Sequence, residues 1–215
     1  MSQRDPLKSA GTAPTRGRFI TFEGIDGAGK TTHISRCVER LREQGLEVVQ
    51  TREPGGSALA ESLRDLLLQQ PMSLDTELLL MFAARRDHIE RLIEPTLGRG
   101  AWVVCDRFTD STYAYQGGGR QLGFEPIAQL EAKVHPHLQP DQTFYFDLPP
   151  EVAAARRAKA RAADRFEAED LEFFGRVRTA YLRRSQDCRH RFVMIDATLS
   201  IEEISKILET SIITH

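Results

Sequence analysis

Short apolar runs alternate with longer amphipathic stretches along most of the chain. RFITFEG (residues 18–24) is an apolar run that stops at a glycine, and Ile34, Val38 and Leu41 then recur at helical spacing until Gly45. LEVVQT (46–51) predicts a second strand, followed by helical periodicity over 58–68. A long helical stretch over about 75–97 leads to a third strand, AWVVCD (101–106). TFYFDL (143–148) and RFVMID (191–196) predict two more, and an amphipathic helix over about 201–208 closes the pattern. Strands alternating with helices predict an α/β fold, a five-stranded parallel sheet flanked by helices in three layers. Ligands of such sheets gather outside the carboxyl ends of the strands. Residues 24–31, 52–56, 106–107 and 196–198 fall there.

Composition narrows the classes. With 215 residues, a net charge of −2 and 40% hydrophobic residues, the chain suits one globular domain. That balance gives no global electrostatic attraction to nucleic acid or a membrane surface, although basic residues cluster over 156–165. Cys37, Cys105 and Cys188 form no C-x-x-C pair, which disfavours a disulfide framework or a zinc site and fits a reducing, cytoplasmic setting. Residues 1–17 are polar and lack the apolar stretch of a secretory signal, so a disordered leader is expected before a domain spanning 18–215. No apolar run approaches the ~20 residues of a membrane helix.

FEGIDGAGKTTH (22–33) contains G, four residues, then G-K-T, between a predicted strand and a predicted helix. This is the order of a P-loop NTPase fold. Backbone amides of Gly24, Ile25, Asp26, Gly27, Ala28, Gly29, Lys30 and Thr31 are expected to wrap nucleotide phosphates at a helix N-terminus. Lys30 should reach the terminal phosphates, Thr31 should ligate Mg²⁺, and Thr32 should contact the first phosphate. Glu23, just before the loop, reads equally as a plain strand-end carboxylate. A guanine-reading N-K-x-D loop is absent, which argues against a GTPase.

Further polar groups point to a second phosphate-bearing substrate. In TREPGG (51–56), Arg52 offers a phosphate fork at a strand's mouth while Pro54 and the glycines force a turn. In MFAARRDH (81–88), a helix would place Phe82 and Arg86 one turn apart on one face, although alone they read more simply as a core phenylalanine and a surface arginine. In CDRFTDSTYAYQGGGR (105–120), Asp106 suits an Mg²⁺-associated carboxylate and Arg107 a phosphate fork. Ser111, Thr112, Tyr115 and Gln116 add hydroxyl and amide groups, and three glycines then turn the chain.

Together FEGIDGAGKTT, TREPGG, MFAAR, DRFTDSTYAYQGGGR, FDLPPEVA, DRFE and IDAT occur in the order of one family, and the chain from about residue 18 to 208 resembles bacterial thymidylate kinases. The resemblance implies Mg²⁺-dependent transfer of the γ-phosphoryl group of ATP to dTMP, giving dTDP on the way to dTTP, by a homodimer. Another nucleoside monophosphate or deoxynucleoside kinase on the same fold is the alternative. The family pattern implies that Phe82 stacks on thymine, that Arg86 contacts the base or phosphate region, and that Arg107 and Arg52 grip the dTMP phosphate. Asp26 would face the acceptor, while Pro54, Tyr115 and Gln116 would discriminate among bases and sugars.

RRAKARAADRFE (156–167) would belong to a small lid over about 156–168, where composition alone describes an alanine-rich surface helix. Family members place a catalytic arginine in the P-loop or in the lid. Here the loop has none, so Arg161 or Arg165 is the expected donor, with Arg156 or Arg157 nearer the adenine. Ala197, in IDAT, would lie beside the adenine through its backbone. The helix containing Leu78, Leu79, Leu80 and Met81 reads equally as dimer contact or buried core.

Overall fold

The computed structural model describes residues 15–157, 166 and 169–212. Its single sheet contains β1 (Phe19–Glu23), β2 (Val48–Arg52), β3 (Trp102–Asp106), β4 (Gln142–Asp147) and β5 (Phe192–Asp196). The strands are all parallel in the order β2-β3-β1-β4-β5. Every residue of central β1 is buried, whereas β2 and β5 expose alternate positions as edge strands do. This is the expected five-stranded α/β sheet, with each strand where its apolar run lies.

The connections are helical. α1 (Lys30–Glu43) follows β1, and α2 (Ala58–Gln69) and α3 (Leu74–His88) follow β2. A π turn (Ile89–Ile93) carries α3 into α4 (Glu94–Gly98), so the long predicted helix is nearly continuous. After β3 come α5 (Thr109–Thr112), a π-helical segment (Tyr113–Gly119) and α6 (Glu125–Val134). α7 (Pro150–Arg157) and α8 (Leu171–Asp187) follow β4, and α9 (Ile201–Ser211) follows β5. Local chemistry starts several of them. Ser57, Ser73 and Asp170 accept hydrogen bonds from first-turn amides, and Ser200 with Glu203 forms a capping box.

Alternate strand residues feed opposite faces of the sheet. Ile20, Phe22 and Val104 pack with Phe144, Phe174 and Tyr181 in one cluster, while Phe19, Val103 and Cys105 pack with Ile89, Ile93 and Phe108 in another. The triple glycine is not the turn expected from sequence but part of the π-helical segment, pressed against α8. A Cβ on Gly118 would sit 2.5 Å from Ala180 Cβ, and one on Gly119 2.5 Å from Phe173. At the other end, Arg16 and Gly17 belong to the fold rather than to a leader. Arg16 pairs with Asp141 at 2.8 Å, and the Gly17 amide donates to Leu97 O at 2.9 Å.

Candidate active site

β1 delivers the chain into a loop that its glycines make possible. Gly24 has φ +137°, and a Cβ there would lie 2.6 Å from Phe146 O. Gly29, with φ +85°, precedes α1 with no side chain capping the helix. The first amides of α1 are thus left to an anion. Lys30 is buried and donates from Nζ to Gly24 O (2.9 Å) and Ile25 O (3.3 Å). Burial, then the charge of Arg107, lowers its pKa. Thr31 and Thr32 are exposed at the start of α1, Ala28 is buried, and exposed Arg156 approaches Gly27 O at 3.4 Å.

A cleft opens beside this loop where β3 ends. Arg107 turns there with φ +71°, in the left-handed region. Its Nη2 pairs with Asp26 Oδ1 at 2.9 Å and donates to Tyr115 OH at 3.1 Å, while Nη1 reaches Ser111 Oγ and Tyr181 OH, each at 3.2 Å. The guanidinium lies over the Tyr115 ring. Burial raises the Asp26 pKa, but Arg107 and Lys30 outweigh it and hold the carboxyl below its ordinary range. Burial likewise works against the Arg107 charge, and Asp26 overrides it. The loop and the cleft are therefore joined by one ion pair.

The far wall of the cleft rests on a second buried pair. Arg85 Nε donates to Glu53 Oε2 at 2.7 Å, and His88 Nδ1 lies 3.0 Å from Glu53 Oε1. Burial disfavours the Glu53 charge, but Arg85 and His88 hold its pKa below normal. Arg85 Nη2 donates to Thr112 Oγ1 at 3.0 Å, whereas buried Nη1 has no hydrogen-bond partner among the described residues. Pro54, Ser111, Thr112, Tyr115 and Gln116 line this cleft with Asp26 and Arg107, as Met81 and Phe166 also do.

The α3 register differs from the expected one. Phe82 is buried in a cluster with Leu78, Tyr113 and Ile127 instead of lining the cleft. Arg86 is exposed, donating to Val134 O at 3.0 Å and pairing with Glu90. The cleft receives Met81 and Arg85, one position earlier, because the helix turns its Phe82 and Arg86 stripe toward α6. The plainer reading of core phenylalanine and surface arginine describes those two residues. Arg52 also stands apart: half exposed, it pairs with Glu61 at 2.9 Å, and the cleft is lined instead by Arg64, which donates to Pro54 O at 2.9 Å.

Asp106 closes β3 with a buried Oδ1 that has no hydrogen-bond partner among the described residues, and its charge acts on Lys30. Ala197 is buried after β5, its amide donating to Asp147 O at 3.0 Å. Arg161, Arg165 and the side chain of Arg157 lie outside the described residues, as does most of the expected lid.

Glu23 proves to be central. Fully buried, it accepts hydrogen bonds from the Phe108 amide (2.7 Å), Ser111 Oγ (2.5 Å) and Tyr181 OH (2.8 Å), anchoring two of the groups that surround Arg107. Burial, then the charge of Asp110, pushes its pKa up to about 7. Sequence reasoning gave Arg64, Met81, Arg85, Phe166 and Tyr181 no place in this cleft. Only Met81 and Arg85 carry a local signal, since Glu77 extends their four-residue spacing into one stripe along α3.

A phosphate-binding loop at the carboxyl edge of a parallel sheet, facing a second cleft built around arginines, defines a P-loop phosphotransferase. The family model described as thymidylate kinase matches residues 22–207. A thymidylate kinase of Cupriavidus metallidurans is 60% identical over 199 residues, covering 93% of this chain and 99% of its own length. One from Bordetella pertussis is 55% identical over 197 residues, covering 92% and 95% respectively. The crystal structure of thymidylate kinase from Ehrlichia chaffeensis superposes with a TM-score of 0.74 at 36% identity, covering 91% of this chain and 98% of that one. The chain belongs to the thymidylate kinase family.

Proposed function

We propose that the chain transfers the γ-phosphoryl group of ATP to dTMP, giving dTDP and ADP. One observation carries the reading: Asp26, a residue of the phosphate loop, pairs with Arg107 of the neighbouring cleft at 2.9 Å, so two anion sites face each other across a single ion pair. ATP phosphates occupy the loop, and the dTMP phosphate meets Arg107. Lys30 leaves the carbonyls of Gly24 and Ile25 for the terminal phosphates of ATP. Arg85 Nη1, without a hydrogen-bond partner among the described residues, donates to a carbonyl of the base, and Met81 packs against the ring.

The nucleophile is an already ionised phosphate, so no strong general base is required. Rate comes from alignment and from charge placed around the transferring group. The residues fit a magnesium ion. Asp106 offers a buried oxygen without a hydrogen-bond partner among the described residues and Thr31 an exposed hydroxyl, a donor set suited to a cation that keeps several of its waters. When bound, Mg²⁺ supplies charge neutralisation on the phosphates, held by Thr31 and Asp106. Arg161 or Arg165, from the lid, is assigned the transferring group by family resemblance, with lid closure excluding water.

Three unbridged cysteines fit a cytoplasmic protein. Among the described residues no helix is long and apolar enough to cross a membrane. Exposed Leu59 and Leu66 on α2 and Leu79 on α3 favour a homodimer, which sedimentation would test. The function is tested by following ADP formation with ATP, Mg²⁺ and a panel of dTMP, dUMP, dCMP, dGMP and thymidine, with the product identified directly. Preferential formation of dTDP is expected. Preference for another acceptor would overturn the base assignment, and no transfer to any would leave only a nucleotide-binding protein.

A further inference from the structure

Glu77 lies two turns before Arg85 on α3, and with Met81 between them the three residues occupy one face of the helix. Its carboxylate is 2% exposed and accepts a hydrogen bond from Gln116 Nε2 at 2.7 Å. Gln116 is itself 1% exposed and lines the cleft with Arg85 and Met81. An amide has two orientations that differ little in shape but exchange a donor for an acceptor. With a Glu77 carboxyl oxygen placed to accept the amide N–H, one of them fits: NH₂ toward Glu77 and carbonyl oxygen toward the cleft. The reverse orientation would set two oxygens against each other in a buried site, forfeiting the hydrogen bond from Gln116 Nε2.

We propose that Glu77 is a specificity-determining positioning residue, fixing the Gln116 amide so that its carbonyl oxygen faces the base and selects pyrimidines that carry an N3–H. The inference rests on the reading of the cleft as a nucleotide acceptor site. Arg85 Nη1 offers a donor and the Gln116 carbonyl an acceptor, the complement of the O4 and N3–H edge of thymine and uracil. Cytosine presents the opposite pair, an amino group and a bare N3, and meets donor with donor and acceptor with acceptor. Glu77 never touches the nucleotide. It acts by denying Gln116 the orientation that cytosine would need.

The test is kcat/KM for dTMP, dUMP and dCMP with the wild type, Glu77→Gln and Glu77→Met, both variants checked for folding by circular dichroism. Each substitution frees the amide to turn. The dCMP to dTMP ratio of kcat/KM is expected to rise about tenfold or more, mainly through a higher KM for dTMP and a lower one for dCMP. The dUMP to dTMP ratio should stay within about twofold, because both bases carry N3–H. A merely structural role would lower all three activities together and leave the ratios unchanged. Unchanged ratios in a variant that still phosphorylates dTMP, or a dUMP ratio that moves with that of dCMP, would overturn the inference alone. A wild type that does not phosphorylate dTMP would overturn the acceptor reading, and this inference with it.

Discussion

The glycine-rich loop and the cleft beside it meet at Arg107 but are built on opposite principles. The loop is shaped by backbone: glycines at φ +137° and +85°, an uncapped helix, and one lysine resting on carbonyls of its own loop. The cleft is shaped by side chains already paired before any ligand arrives, Glu53 with Arg85 and His88, and Asp26 with Arg107. Damage to the cleft should therefore cost stability as well as activity, whereas damage to the loop should cost activity alone.

The largest effect tests the cleft. Arg85→Ala leaves the Glu53 carboxylate buried, 4% exposed, without its arginine partner and hydrogen-bonded to His88. Removing one member of such a pair destabilises by about 3–5 kcal/mol, and urea unfolding should show this alongside a raised KM for dTMP. Lys30→Ala supplies the contrast. It should lower kcat about 10²–10³-fold and leave the KM for dTMP within about threefold. Its unfolding free energy should not fall, because burial and Arg107 both disfavour the Lys30 charge. A destabilisation by Lys30→Ala equal to that of Arg85→Ala would break the comparison.

The same contrast explains what sequence reveals. A loop made from backbone needs glycines, Lys30 and Thr31 at fixed spacing, and this stands in one contiguous stretch. The sheet was equally legible, since buried parallel strands are continuous apolar runs between helices. A cleft made from side-chain pairs leaves its partners far apart: Glu53 and Arg85 are separated by 32 positions, Glu23 and Tyr181 by 158. No local pattern joins them. Along α3 the four-residue spacing was visible but not its register, because Met81 with Arg85 and Phe82 with Arg86 satisfy it equally. Tertiary packing chose, burying the larger aromatic against Tyr113 and Ile127.

Glu23 sharpens the comparison, since it braces the cleft from within the sheet. Three donors favour its anion, yet burial and Asp110 together raise its pKa from 4.5 to about 7. A carboxyl whose folded pKa is raised contributes stability that is complete below its unfolded pKa and lost as pH rises through the folded one. As pH rises from about 5 to 8 the wild type should thus lose stability through this group. Glu23→Gln has no proton to lose. Urea titrations of both proteins should converge or cross in the variant's favour as pH rises, and parallel pH profiles would remove the assignment.

The smallest effect separates Arg85 from its neighbour. Arg86 lies outside the cleft, 47% exposed, held by a surface ion pair with Glu90 and a hydrogen bond to Val134 O. Exposed pairs of this kind contribute about 0.2–1 kcal/mol, and Arg86 is not among the residues that line the cleft. Arg86→Ala should leave kcat/KM for dTMP within about twofold and lower the unfolding free energy by less than about 1 kcal/mol. Because the two arginines are adjacent on one helix, any general disturbance of α3 would affect both variants alike. An unaffected Arg86→Ala beside a crippled Arg85→Ala would therefore fix the helical register by function, whereas a tenfold rise in KM for dTMP in Arg86→Ala would return the recognition role to the stripe containing Phe82.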